Sequence, residues 1–223
     1  MSDAGTTLRL LQVADSLFPS GAFAFSGGLE TLAEDGLVRG ADALGAVLAH
    51  QILPRWAGID RHFLAAAQAA ADDLDTLTAL DADCEAHVTV AEAGEASRRT
   101  GAALLLTHTR IATPGAEAYR ARVASGAPGH AAVVQGFVAA RFGLPRAEAE
   151  AGSLYGAVQS SLSAAVRLGI VGALGAQRLL AELRPAMAAA LRAPPPPLPA
   201  ALTPFADIAL ARHAATPGRL FAS

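Results

Sequence analysis

The chain has 223 residues, 52% hydrophobic and only 17% charged, which argues against extensive disorder and fits one domain or at most two small ones. Its net charge of −3, with no basic block, gives no electrostatic footing for sequence-independent nucleic-acid binding. All 17 basic residues are arginine, so a P-loop lysine, a Schiff-base lysine and a lysine general base are excluded as well.

Alanine and leucine dominate, and aromatic residues make up 5%. Strong helix formers with little β-branching point to an all-α protein, read as a single-domain irregular bundle of roughly seven to ten helices. Cys84 is the single cysteine, so an intrachain disulfide is excluded and a reducing cytoplasm is expected. The first residues carry neither the basic nor the apolar region of a signal peptide. The most apolar window, Leu168 to Ala176, is nine residues long. A bilayer span needs ~20, so a buried helix is expected there and no membrane segment.

Residues 10–30 read LLQVADSLFPSGAFAFSGGLE. An apolar helical start (Leu8, Leu11, Ala14) stops at Pro19, which disfavours helix at Phe18. Gly21 and the Gly27-Gly28 pair permit sharp changes of direction. Phe18, Phe23 and Phe25 fall inside this turn, so it is expected to be packed into a core or an interface. Ser26 or Gly27 can cap the next helix, with Glu30 in its first turn.

That helix is expected to end near Gly40. Asp42 then suits the N-cap of a helix toward Trp56 that Pro54 bends or ends. Asp60 to Ala71 keeps helical period. Asp72 to Asp83 is acidic and weakly periodic, and reads as a connection holding one helical turn at most. One long helix is expected from Cys84 to Ile111, with Gly101 packed closely against a neighbour. Thr113-Pro114-Gly115 is a break. A helix opens at Pro128-Gly129-His130 and closes at Gly143. Pro145 starts the next, which carries an apolar stripe of Leu154, Tyr155, Val158, Leu162, Ala165 and Val166. Pro194 to Pro197 should be extended polyproline II. It divides a helical body with an N-terminal docking segment (1–193) from a linker and C-terminal tail (194–223). In the tail Thr203 caps a helix beginning at Pro204, with Phe205, Ile208, Ala209 and Arg212 along one face.

G-x-S-x-G, HExxH, GxGxxG and CxxC patterns are all missing. Cys84 and His87 stand three apart and would share a helix face, which makes them the best local metal pair for nickel or zinc. A stable site needs about four ligands, and two are visible. The alternative reading is a buried thiol and an ordinary histidine. Glu92 and Glu95 share a face as a solvated edge. His213 and Arg219 lie in an apolar tail that is either a frayed end or a segment that orders on a partner, Phe221 filling a pocket and Arg219 making a charge-assisted hydrogen bond.

The opening stretch resembles the N-terminal signature of the UreF family of urease accessory proteins, through Leu11, Gln12, Asp15, Ser16, Pro19, Gly21, Phe23, Ser26, Gly28, Leu29 and Glu30. Similar matches follow at Ser97, Arg98 and Gly101, at His130, Val133 and Gly136, and at Ala164, Ala165, Arg167, Leu168, Gly172, Gln177 and Leu180. The end matches through Asp207, Ile208, Ala209, Arg212, His213, Arg219, Leu220, Phe221 and Ser223. Phe25, Ile170, Ala173 and Ala214 depart from the family pattern. The resemblance implies a non-catalytic, cytoplasmic chaperone without cofactor. It would bridge UreD (also called UreH) and the GTPase UreG for nickel insertion into apo-urease, act as a homodimer within that complex, and possess a regulatory influence on UreG. Partner binding is expected at Asp15, Phe23, Ser26, Glu30, His213, Arg219, Leu220 and Phe221, with the opening turn and the tail converging. The competing reading is a nickel carrier or metal-dependent enzyme using Cys84 and His87.

Overall fold

The computed structural model describes residues 3–213 and 220–222, and among them there is no β-strand. The all-α expectation holds. In chain order the helices are α1 (Ala4–Ala14), α2 (Leu29–Glu34), α3 (Gly40–Val47), α4 (Leu53–Arg55), α5 (Arg61–Ala69) and α6 (Leu74–Ala86). They continue as α7 (Ala91–Arg110), α8 (Ala116–Ala124), α9 (Ala131–Arg141), α10 (Arg146–Arg167), α11 (Ala173–Arg192) and α12 (Pro204–His213). π-helical turns occupy Leu48–Ile52 and Trp56–Asp60, and a 3-10 turn Ala22–Ala24. Among the described residues no helix is long and apolar enough to cross a membrane.

The chain divides into two compact units. The first comprises Met1–Gly21, Asp60–Val88 and Ser97–Ser153, and the second Ala22–Ile59, Thr89–Ala96 and Leu154–Ser223. In the first, Asp3 caps α1 by accepting the Thr6 N–H at 2.8 Å. Leu10 and Val13 then pack on a cluster of Leu64, Ala139, Leu144 and Ala149. Gly101 of α7 meets the α9 entry closely, as expected: a Cβ there would overlap the Gly129 carbonyl oxygen. The second unit buries Leu29, Leu44, Leu48 and Trp56 with Leu154, Val158 and Leu162 of α10 and Leu179 and Leu183 of α11.

Several boundaries differ from the sequence reading. Arg39, not Asp42, is the N-cap of α3. Pro54 neither bends nor ends the helical run; it sits at the start of α4, between the two π turns. Proline cannot donate to the carbonyl four residues back. Here that carbonyl is His50's, and Gln51 Nε2 donates to it at 2.9 Å, so the loss is made good locally.

Asp72 to Asp83 is no connection but mostly α6, capped by Asp73, whose side chain accepts from the Asp75 and Thr76 N–H groups. Its buried positions are Leu77, Asp81 and Cys84. A carboxylate at the centre of the inward face hides the apolar period that would have marked the helix. The long helix expected from Cys84 to Ile111 is two. His87 ends α6, its N–H donating to the Asp83 and Cys84 carbonyls and its Nδ1 lying 2.8 Å from Asp83 O. The β-branched run Val88-Thr89-Val90 follows before α7 opens. α8, after the Thr113–Gly115 break, was not expected as a helix. The Leu168–Ala176 window is not a helix either: Gly169 (φ 72°) turns the chain, and Gly172 caps α11.

Candidate functional site

The opening stretch is built from three short pieces. Phe18 is buried and packs against the His108 ring, centroids 5.6 Å apart. Ala22–Ala24 then forms the 3-10 turn. Gly27 and Gly28 follow at φ 62° and 86°, and Gly28 caps α2. A Cβ on Gly28 would stand 3.0 Å from the Ala206 carbonyl oxygen and 3.1 Å from Ala209 Cβ, so α12 can lie directly on the start of α2 only because that residue is glycine.

α12 presents an unexpected face. Ala206, Ala209, Leu210 and His213 are inward, while Phe205 and Ile208 are 60% and 58% exposed. Of the four residues expected along one buried face, only Ala209 is buried. Small residues on the inner side permit the close approach to Gly28. Thr203 stands at the helix start as expected, its carbonyl accepting the Asp207 N–H at 3.0 Å.

The end of the chain returns to the opening turn. Glu30, 3% exposed, accepts the backbone N–H groups of Leu220 at 2.6 Å and Phe221 at 3.2 Å. His213 is fully buried beside them: its Nδ1 lies 3.3 Å from Thr31 Oγ1, and its Nε2 3.7 Å from Glu30 Oε2. The three carbonyls of the 3-10 turn each meet a different donor. Ser160 Oγ donates to Ala22 O at 3.1 Å, Arg167 Nη1 to Phe23 O at 2.8 Å, and the Ala222 N–H to Ala24 O at 2.9 Å. The Arg167 guanidinium also lies 4.2 Å from the centroid of the Phe221 ring. Phe221 itself is 4% exposed and joins the core of its own chain. Burying such a side chain contributes about 2–3 kcal/mol, and a cation over an aromatic face about 0.5–2 kcal/mol more.

Seven of the eight expected partner-binding residues can therefore be located, and Arg219 lies outside the described residues. Phe23, Ser26, Glu30, His213, Leu220 and Phe221 come together in the second unit. Ser26 is buried, its Oγ accepting the Glu30 N–H at 3.4 Å. Asp15 belongs to the first unit, where it is exposed and caps its own turn by accepting the Leu17 N–H at 2.7 Å. Sequence reasoning missed Thr31 and the bridging part played by Arg167. The latter stood in a matched motif, and nothing local distinguishes it from any other helix-end arginine.

The cysteine–histidine pair is differently placed. Cys84 is buried, and His87 is held at the helix end. Among the described residues no group of three or more His, Cys, Asp or Glu is arranged to hold a metal ion. The neighbouring polar residues tie helices together. Asp81, fully buried, accepts the N–H groups of Gly129 at 2.6 Å and His130 at 2.9 Å and the Tyr119 hydroxyl at 3.2 Å. Burial, with the Asp81 charge, pushes the Tyr119 hydroxyl well above the ordinary tyrosine range. Glu85 Oε2 lies 2.6 Å from His130 Nε2, and Arg98 Nη1 donates to both Glu85 oxygens. Burial alone would raise Glu85; the hydrogen bonds from Arg98 and His130 outweigh it and hold the carboxylate below its usual range.

Comparison with known proteins agrees with the motif reading. A family model for UreF matches residues 38–184. A urease accessory protein UreF from Arthrobacter sp. (strain FB24) is 34% identical over 233 residues, covering 100% of both chains. One from Agrobacterium fabrum is 34% identical over 231 residues, covering 100% of this chain and 98% of the relative. One from Trichodesmium erythraeum is 30% identical over 237 residues, covering 100% and 99%. The matched length includes both the opening turn and the tail.

Proposed function

The chain belongs to the UreF family of urease accessory proteins, and from that premise we propose that it serves as a non-catalytic scaffold bridging UreD (UreH) and the GTPase UreG, so that nickel reaches apo-urease in the cytoplasm. The observation that carries this reading is the union of the two chain ends in one patch. Glu30 and the 3-10 turn hold the tail backbone, and Leu220 stands 53% exposed beside buried Phe221. A partner that reads this patch reads opening turn and tail together. The buried members (Ser26, Glu30, His213 and Phe221) then act by fixing the shape of the patch, and Phe23 and Leu220 by touching the partner. A dimer within the assembly and an influence on UreG GTP hydrolysis belong to the same proposal, with UreG recruited on a separate surface.

A pull-down with co-expressed UreD and UreG tests it. The full chain is compared with a chain ending at Pro197 and with Leu220→Asp, a change at an exposed position. Both variants should lose UreD. Equal recovery of UreD and UreG by all three would remove the tail from the interface.

A further inference from the structure

A second surface lies wholly in the first unit. The end of α1 and the turn after it run beside the C-terminal half of α7 and leave an open cleft of about 550 Å³, within the size range of ligand pockets. Phe18, Pro19, Ala103 and Leu106 line it, with Leu17 and Ile111 at its edges. The polar groups in it are already engaged. Thr107 Oγ1 is within hydrogen-bond distance of the Pro19 and Ala103 carbonyls, and Asp15 Oδ1 accepts from Leu17 N–H. The lining therefore offers apolar surface.

The same unit exposes more large apolar side chains than a solvated face needs. Leu17 is 87% exposed, Leu8 and Leu11 on the outer side of α1 are 66% and 60%, and Ile111 is 41%. A contiguous apolar patch with a polar rim marks an interaction site. The rim also carries charge of both signs, Asp15 at one part and Arg110 at another. Arg110 is exposed and makes no hydrogen bond or ion pair among the described residues.

We propose that this cleft receives an apolar segment of UreD that carries a carboxylate for Arg110 and a cation for Asp15. The inference rests on the scaffold reading above and adds a second point of attachment, distinct from the tail. Charge complementarity selects the occupant. Two apolar side chains fill the floor, and the opposite charges at the rim fix the direction in which the segment lies. A second copy of this chain would have to bring the same face, setting Asp15 against Arg110 in an isologous pair while leaving less of the floor filled.

Binding of the full-length chain to UreD is measured for wild type, Leu17→Asp and Arg110→Glu, with light scattering of each chain alone. Both substitutions are at exposed positions, and thermal unfolding should be unchanged. We expect each to weaken UreD binding tenfold or more, with the Arg110→Glu loss shrinking in high salt as befits a rim charge. If wild type does not bind UreD, the scaffold reading fails and takes this inference with it. If wild type binds and both variants bind within twofold of it, the cleft inference alone is overturned. Loss of a wild-type homodimer in the variants, with UreD binding intact, would assign the cleft to a second copy and also overturn it.

Discussion

Two buried carboxylates, Asp81 in the first unit and Glu30 in the second, each accept two consecutive backbone N–H groups from a remote segment. Asp81 takes Gly129 and His130 at 2.6 and 2.9 Å; Glu30 takes Leu220 and Phe221 at 2.6 and 3.2 Å. A histidine stands beside each. The surroundings separate them. Asp81 has a third donor in Tyr119, and the amides it holds begin α9, whose far side is core. Glu30 holds a segment near the end of the chain, whose described anchors are Phe221 and the Ala222–Ala24 bond. The same hydrogen-bond device thus fixes a helix start in one unit and orders a surface segment in the other. The first case concerns whether the unit folds; the second concerns the shape a partner meets.

Removing each device should reveal that difference. Asp81→Ala leaves two amides and a hydroxyl unsatisfied in a dry site, and should cost about 3–5 kcal/mol in denaturant unfolding. Gly101→Ala is the next largest. Helix propensity alone would stabilise it by ~1 kcal/mol, but the new methyl overlaps the Gly129 carbonyl at the corner Asp81 holds, so a net loss of about 1–3 kcal/mol is expected. A gain in stability would show that the two backbones are not in close approach. Phe221→Ala and Glu30→Gln should act locally. Amide exchange at residues 24 and 220–222 should accelerate, by about 2–3 kcal/mol of opening free energy for Phe221→Ala, while the first unit keeps its unfolding midpoint.

A pH titration sharpens the contrast further. Burial lowers the His108 pKa from 6.5 to about 4. The unfolded chain then binds more protons between those values, so stability is full above pH 6.5 and is lost as pH falls toward 4. The loss should be on the order of 2–3 kcal/mol, and His108→Gln should abolish that component of the slope. The smallest effect is expected at the exposed Arg212–Asp35 pair beside the tail. Arg212→Ala should leave the unfolding midpoint within error, since such pairs are screened by solvent and salt.

The helical class was legible because composition and period agree over most of the chain. So were the caps written in single residues, such as Gly143 after α9 and Thr203 before α12. What stayed hidden was non-local. Asp81 reads as one more acid in an acidic stretch until the amides of Gly129 and His130 are placed over it. Pro54 reads as a helix breaker because nothing in sequence announces that Gln51 will serve the orphaned carbonyl. The outward turn of Phe205 and Ile208 defies hydrophobic ranking, because a glycine contact 180 residues away rewards alanine on the inner face. The motif at each end was legible as a motif; that Glu30 joins them was not, since a carboxylate at a helix start has an adequate local explanation in the helix dipole.

The seating of His213 against Thr31, eight residues before Phe221, has a kinetic corollary. With that anchor in place, Phe221 is tethered to its pocket by a very short leash. Its effective concentration there is in the millimolar range expected of short tethers. Any peptide competing for the pocket from solution would be displaced by return of the native ring, so exchange of tail segments between copies is suppressed and the patch rebuilds itself after each partner leaves.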